Sequence, residues 1–185
     1  VNTFCTLTGS ITAIFLALFL ISSSVSLSGK GGAVMMKLDL SSQAFAYNQP
    51  IPVKYSCDGQ NTSPDLIWNG VPSGTRSLAL IADDPDAPMG TFTHWVLYNL
   101  PASQTRFEEG IPAGSLTTGG TQGLNSARQK AYMGPCPPSG RTHHYYFRLY
   151  ALDLEPLLPE GLTSDKLSSM ITGHVLASGE WMGTY

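Results

Sequence analysis

Charge is scarce in this sequence. Only 12% of its 185 residues are Asp, Glu, Lys or Arg, about half of the ~25% common in soluble proteins. The ten Lys and Arg form no cluster and the net charge is −3, so no basic surface is available to neutralise nucleic-acid phosphates. Nucleic acid is not an expected partner. The three cysteines show no CxxC spacing, which excludes the usual zinc and dithiol motifs. GxSxG, HExxH, phosphate-loop and dinucleotide fingerprints are also missing, so the sequence gives no warrant for the common hydrolases, metalloproteases or nucleotide-dependent enzymes. No cofactor is expected.

What is abundant is turn chemistry, with 19 Gly and 13 Pro. Short β-prone runs stand between these breakers: VKYS (53–56), LIW (66–68), SLALIAD (77–83), HWVLYNL (94–100), HYYFRLYAL (144–152) and SGEWMGTY (178–185). That spacing predicts an all-β sandwich or barrel, and the length suits one domain. One helix is expected over 164–176, where Leu167, Met170, Ile171, His174 and Val175 recur at helical spacing behind a Ser164 cap.

The amino terminus is of another kind. No charge occurs from Val1 to Gly29, and Ile11–Ile21 is an apolar run of signal-peptide length, too short to span a bilayer. Residues 1–28 therefore read as a signal peptide or membrane anchor, with small residues Ser26 and Ser28 before a cut at Gly29. The expected location is exported: periplasmic, extracellular or membrane-tethered. A start near Met35 would instead make the protein cytoplasmic, and the leader has no Lys or Arg before its apolar run.

Strand periodicity places the polar residues. In SLALIADD, Leu78, Leu80, Ala82 and Asp84 share one face, so the Asp84 carboxylate ends an apolar row. An antiparallel hairpin from there into HWVLYNL would bring Asp84 close to His94. In the 143–152 run, His143, Tyr145, Phe147, Leu149 and Ala151 form the buried set, which leaves His144 with Arg148 on the outer, solvated face. Asp83 and Asp86 fall in a Pro-rich turn, where Asp commonly satisfies local backbone N–H groups. Asp84, His94, His143 and Tyr145 thus make a polar end to an apolar cavity beside the stiff loop Gly134–Pro138. Imidazolium, backbone N–H and phenol groups can donate to a phosphate or carboxylate, and Asp84 can fix a histidine tautomer.

The segments DPDAP (84–88), HWVLYNLP (94–101) and GPCPPSG (134–140) followed by HHY (143–145) closely resemble the signatures of the phosphatidylethanolamine-binding protein family. The family includes the Raf kinase inhibitor proteins, and CDGQNTSPDLIW (57–68) looks like its prokaryotic branch. The resemblance spans residues 36–185. It implies a Greek-key β-sandwich of two antiparallel sheets, with one short helix near the C-terminus and small peripheral elements. It maps the family's anion pocket onto Asp84, Asp86, His94, Pro138, His143 and Tyr145. It also implies a non-enzymatic protein that binds small anions or phospholipid head groups and regulates a kinase or protease partner. Two departures are visible: His144 stands where the family usually has Arg, and GLNSAR (123–128) replaces a GxND(F/W)G-like stretch.

The same resemblance to the prokaryotic branch implies that Cys57 and Cys136 occur together in such relatives. In an exported protein these are expected to form a disulfide, stabilising the fold by about 4 kcal/mol in the loop-entropy model. Two other classes of function stay in view. One is a secreted serine protease inhibitor acting through a loop such as 102–133; the other is a metal-assisted or acid/base enzyme using Asp84 and His94, in which His94, His143 and Asp84 or Asp86 would make up a facial triad. No metal ligand set is assigned.

Overall fold

A computed structural model describes residues 1–3, 36–114, 116 and 119–185. The 1–28 leader and its cleavage site lie outside the described residues, apart from the first three. The chain divides into two units, 1–32 and 33–185, and the architecture below is that of the second.

In chain order the elements are β1 (Met36–Lys37), β2 (Asp39–Ser41), β3 (Gln49–Pro50), a 3₁₀ turn (Val53–Tyr55), β4 (Leu66–Asn69), β5 (Ser77–Asp84), β6 (Phe92–Pro101), β7 (Arg106–Phe107), β8 (Thr121–Gln122), β9 (His144–Leu152), α1 (Ser164–Ile171) and β10 (Val175–Thr184). The larger sheet runs in the order β1-β10-β9-β5-β6-β8, with β3 also paired to β10; the smaller is β2-β4-β7. The long strands β5, β6, β9 and β10 pair antiparallel, whereas β1 and β3 run parallel to β10. The expected two-sheet, mainly antiparallel architecture is present, and the two short strands β1 and β3 join β10 in parallel.

The two sheets share one core. Leu40, Leu66, Trp68 and Phe107 of the small sheet pack with Leu78, Leu80, Trp95, Leu97, Phe147 and Leu149 of the large one. The opposite face of the large sheet is covered too: Ala79, Ile81, Val96 and Tyr98 pack under Leu162, Leu167 and Ile171. Burial on both faces is why β5 and β6 are near-continuous apolar runs rather than strict alternations. β9 keeps the predicted alternation, with odd-numbered residues from Tyr145 to Ala151 buried and even-numbered ones from His144 to Tyr150 partly exposed.

Two local expectations are corrected. VKYS is no strand: Pro52 leads into it, and the bonds Tyr55 N–H to Pro52 O (2.9 Å) and Ser56 N–H to Val53 O (3.0 Å) close a 3₁₀ turn instead. The helix is shorter than 164–176. Gly173 adopts φ 84°, a left-handed stop, so His174 lies beyond the helix and Val175 starts β10. Its N-cap is Thr163, while the Ser164 hydroxyl pairs with Thr93 Oγ1 at 2.7 Å. No helix among the described residues is long and apolar enough to cross a membrane.

Candidate functional site

Three strand ends meet at one rim of the large sheet. β5 ends at Asp84 opposite Phe92, where β6 begins, and the next residue of register on β9 pairs Tyr146 with Asp83. His143, just before β9, is clamped by two backbone bonds to Tyr185, its N–H to Tyr185 O at 2.9 Å and Tyr185 N–H to its own O at 3.1 Å. The backbone therefore fixes the residues that carry the polar side chains.

Asp84 and His143 are buried and joined, with His143 Nδ1 2.8 Å from Asp84 Oδ2. The other carboxylate oxygen, Oδ1, accepts the Asp86 N–H at 2.8 Å, which closes the turn as the chain leaves β5. His94 is buried as well, and its Nδ1 donates to the Met133 carbonyl at 2.6 Å. A carbonyl can only accept, so the proton of a neutral His94 ring sits on Nδ1 and Nε2 keeps a lone pair. Nε2 has no hydrogen-bond partner. Burial lowers the His94 pKa below its usual value, against the opposing pull of the Met133 carbonyl and Asp84.

The ring of His94 lies between Phe92, 4.9 Å away centroid to centroid, and Tyr145, at 5.1 Å edge-on. Tyr145 is buried and its hydroxyl is also without a partner. Burial and then Asp84 push its phenol pKa well up, so it stays protonated.

Above these groups is a cavity of about 440 Å³. Ala87, Pro88, Met89 and Gly90 of the β5–β6 loop form one wall, Met133, Cys136, Pro137 and Pro138 another, and Phe92, His94, Asp84 and His143 complete it. The arrangement is an apolar cleft with a few convergent polar groups, the usual form of a small-molecule site.

The 133–138 wall is held from behind. Cys136 is disulfide-bonded to Cys57, with Cα atoms 5.4 Å apart. Cys57 N–H donates to Pro135 O (3.0 Å), Gly134 N–H to Asn61 Oδ1 (2.7 Å) and the Tyr132 hydroxyl to Tyr55 O (3.0 Å). Gly134 allows this approach, because a Cβ there would run into the Tyr55 carbonyl.

Of the six pocket residues expected from the sequence, Asp84, His94, Pro138 and His143 line the cavity, and Tyr145 packs behind His94. Asp86 does not line it. Its carboxylate Oδ2 instead accepts from the His144 backbone N–H (2.9 Å) and pairs with His144 Nδ1 (2.7 Å), which lowers the Asp86 pKa. His144 is on the outer face as expected, yet it is engaged there rather than simply solvated. The direct partner of Asp84 is His143, not His94 across the hairpin. Asp83 is corrected from turn residue to the last outward-facing position of β5, ion-paired with Arg148, which also bonds Glu180 at 3.0 Å.

Phe92, Met89 and Met133 are not among the residues expected from the sequence. Phe92 could have been found, since it lies two residues before His94 on the same strand face. Met133 contributes a backbone carbonyl, which leaves no mark in a sequence. Among the described residues, no group of three His, Cys, Asp or Glu side chains is placed to hold a metal ion.

Comparison with known proteins agrees with this architecture. A family model for phosphatidylethanolamine-binding protein matches residues 41–185. A UPF0098 protein of Methanothermobacter thermautotrophicus is 47% identical over 149 residues, covering 80% of this chain and 98% of the relative. One from Aquifex aeolicus is 41% identical over 157 residues, covering 84% and 90%. The crystal structure of a phosphatidylethanolamine-binding protein homologue from Chlamydia trachomatis superposes with a TM-score of 0.73 at 42% identity, over 80% of this chain and 97% of that one. That of E. coli YbcL, described as a member of the mammalian PEBP family, gives 0.75 at 30% identity, over 80% and 98%. On the strength of the matched family model and these relatives, the chain belongs to the phosphatidylethanolamine-binding protein family.

Proposed function

We propose that the protein is a non-enzymatic binding protein whose cavity takes a phosphate-like anion or phospholipid head group, and that it regulates or inhibits a protein partner. The observation that supports this is a buried, partnerless His94 Nε2 beside the buried Asp84–His143 pair, at the end of a mostly apolar cavity. An unpaired buried polar atom is costly in a folded protein, and His94 is one of the residues that line the cavity.

The disulfide supports an exported location, where such bonds persist. The loop-based alternative, a protease inhibitor acting through 102–133, has less support: that segment supplies β7, β8 and the buried side chains of Phe107, Gln122 and Tyr132 to the body of the domain.

The test is an NMR titration with inorganic phosphate. Saturable shifts at His94 and His143, with His174 at the far end of the helix unmoved, are expected. Saturating phosphate that leaves both pocket histidines unshifted would overturn the reading.

A further inference from the structure

The chemistry of an incoming oxyanion is constrained by where the protons are. Nδ1 of His94 is committed to Met133 O, so its free nitrogen presents a lone pair. The Asp84–His143 pair holds either one proton, with net charge −1, or two, with net charge zero; in neither state is it a cation. No Lys or Arg lines the cavity among the described residues. Arg148 lies on the opposite face of β9, occupied by Asp83 and Glu180, and Asp86 is occupied by His144. Pro137 and Pro138 have no N–H to offer, and Gly134 N–H is spent on Asn61. Tyr145, a neutral phenol, and the Phe92 ring flank His94.

A doubly charged oxyanion entering here would meet lone pairs and a carboxylate with no compensating positive charge. Resting on the reading of this cavity as an oxyanion site, we propose that it accepts its ligand as a singly protonated oxyacid. One proton is taken up with each ligand and is held between His94 Nε2 and a ligand oxygen. The ligand class is thus a phosphomonoester or comparable acid able to carry that hydrogen. The proton comes from the solvent, so no other reactant is consumed. Desolvation keeps the ring neutral before the ligand arrives, which leaves Nε2 free to receive it.

Methyl phosphate and the unaltered protein provide the test. At about pH 8 a phosphomonoester, with its second pKa near ~6, is almost wholly dianionic. Calorimetry in two buffers of different ionisation enthalpy is expected to show uptake of about one proton per ligand, and the Kd is expected to weaken about tenfold per pH unit above that point. The ¹⁵N resonance of His94 Nε2 should move from a bare lone-pair position to a protonated one on saturation. Binding at the cavity with no proton uptake and a flat Kd would overturn the proposal while leaving the anion site intact. A proton that enters on His143 alone would overturn its assignment to His94. No binding of methyl phosphate at any pH would overturn the anion site itself.

Discussion

His143 Nδ1 and Asp84 Oδ2 lie 2.8 Å apart, with the two side chains only 3% and 5% exposed. Removing one member of such a pair strands the other in a dry site, which is why single changes should cost more than the pair is worth. Asp84→Asn and His143→Gln are each expected to destabilise the fold by about 2–4 kcal/mol. In urea unfolding, the double variant should fall at least about 1 kcal/mol short of the sum. Additive losses would show that the two side chains act independently.

Stability should depend on pH through His94. Its folded pKa is held below the unfolded value by burial, so below the unfolded value near ~6.5 the unfolded chain binds more protons than the native one. The contribution is complete above that value and is lost as pH falls toward the depressed folded pKa. The urea midpoint should drop between about pH 7.5 and pH 5, and His94→Gln should flatten part of that slope. A ligand-free profile unchanged by the substitution would assign the acid sensitivity elsewhere.

These two histidines illustrate how much could be read beforehand. Period-two spacing put His143 and Tyr145 on the buried face and His144 and Arg148 on the other, because a strand's side-chain directions are set by its backbone alone. The partners were less visible. β5 has β6 on one side and β9 on the other, and Asp84 bonds His143 rather than His94, a pairing that side-chain periodicity does not encode. Asp86 was drawn into the pocket by motif, yet one turn of backbone directs its carboxylate to His144. The helix end at Gly173 overrode an apolar period that ran on through Val175.

Reduction should reach the cavity. Cys136 is both cavity wall and one half of the Cys57–Cys136 bond. The double variant Cys57→Ser, Cys136→Ser is expected to lose about 4 kcal/mol by the loop-entropy model, since 79 positions separate the two residues. It should also bind methyl phosphate more weakly under conditions where it is still folded. Urea melts and calorimetry on the same sample separate the two effects.

On the outer face, Arg148 joins Asp83 and Glu180 and lies over the Tyr146 ring at 4.6 Å. Burial raises the Asp83 pKa even with the guanidinium opposing it. Arg148→Met should therefore cost about 2 kcal/mol near neutral pH by leaving a half-buried carboxylate unpaired. The loss should shrink in acid, where Asp83 can protonate in the folded state. Equal losses at pH 7 and pH 4 in thermal melts would argue that packing of the Arg stem, not its charge, is what matters.

The brevity of the outermost strands bears on assembly. Among the described residues, the larger sheet ends in β1 and β8, each covering two residues, and the smaller in β2 and β7, of three and two. A neighbouring strand arriving at any of these borders would find only a couple of free backbone groups to pair with, a poor template for growth by continued β-pairing. Side-chain surfaces, rather than these borders, are then the expected route for any association between molecules of this protein.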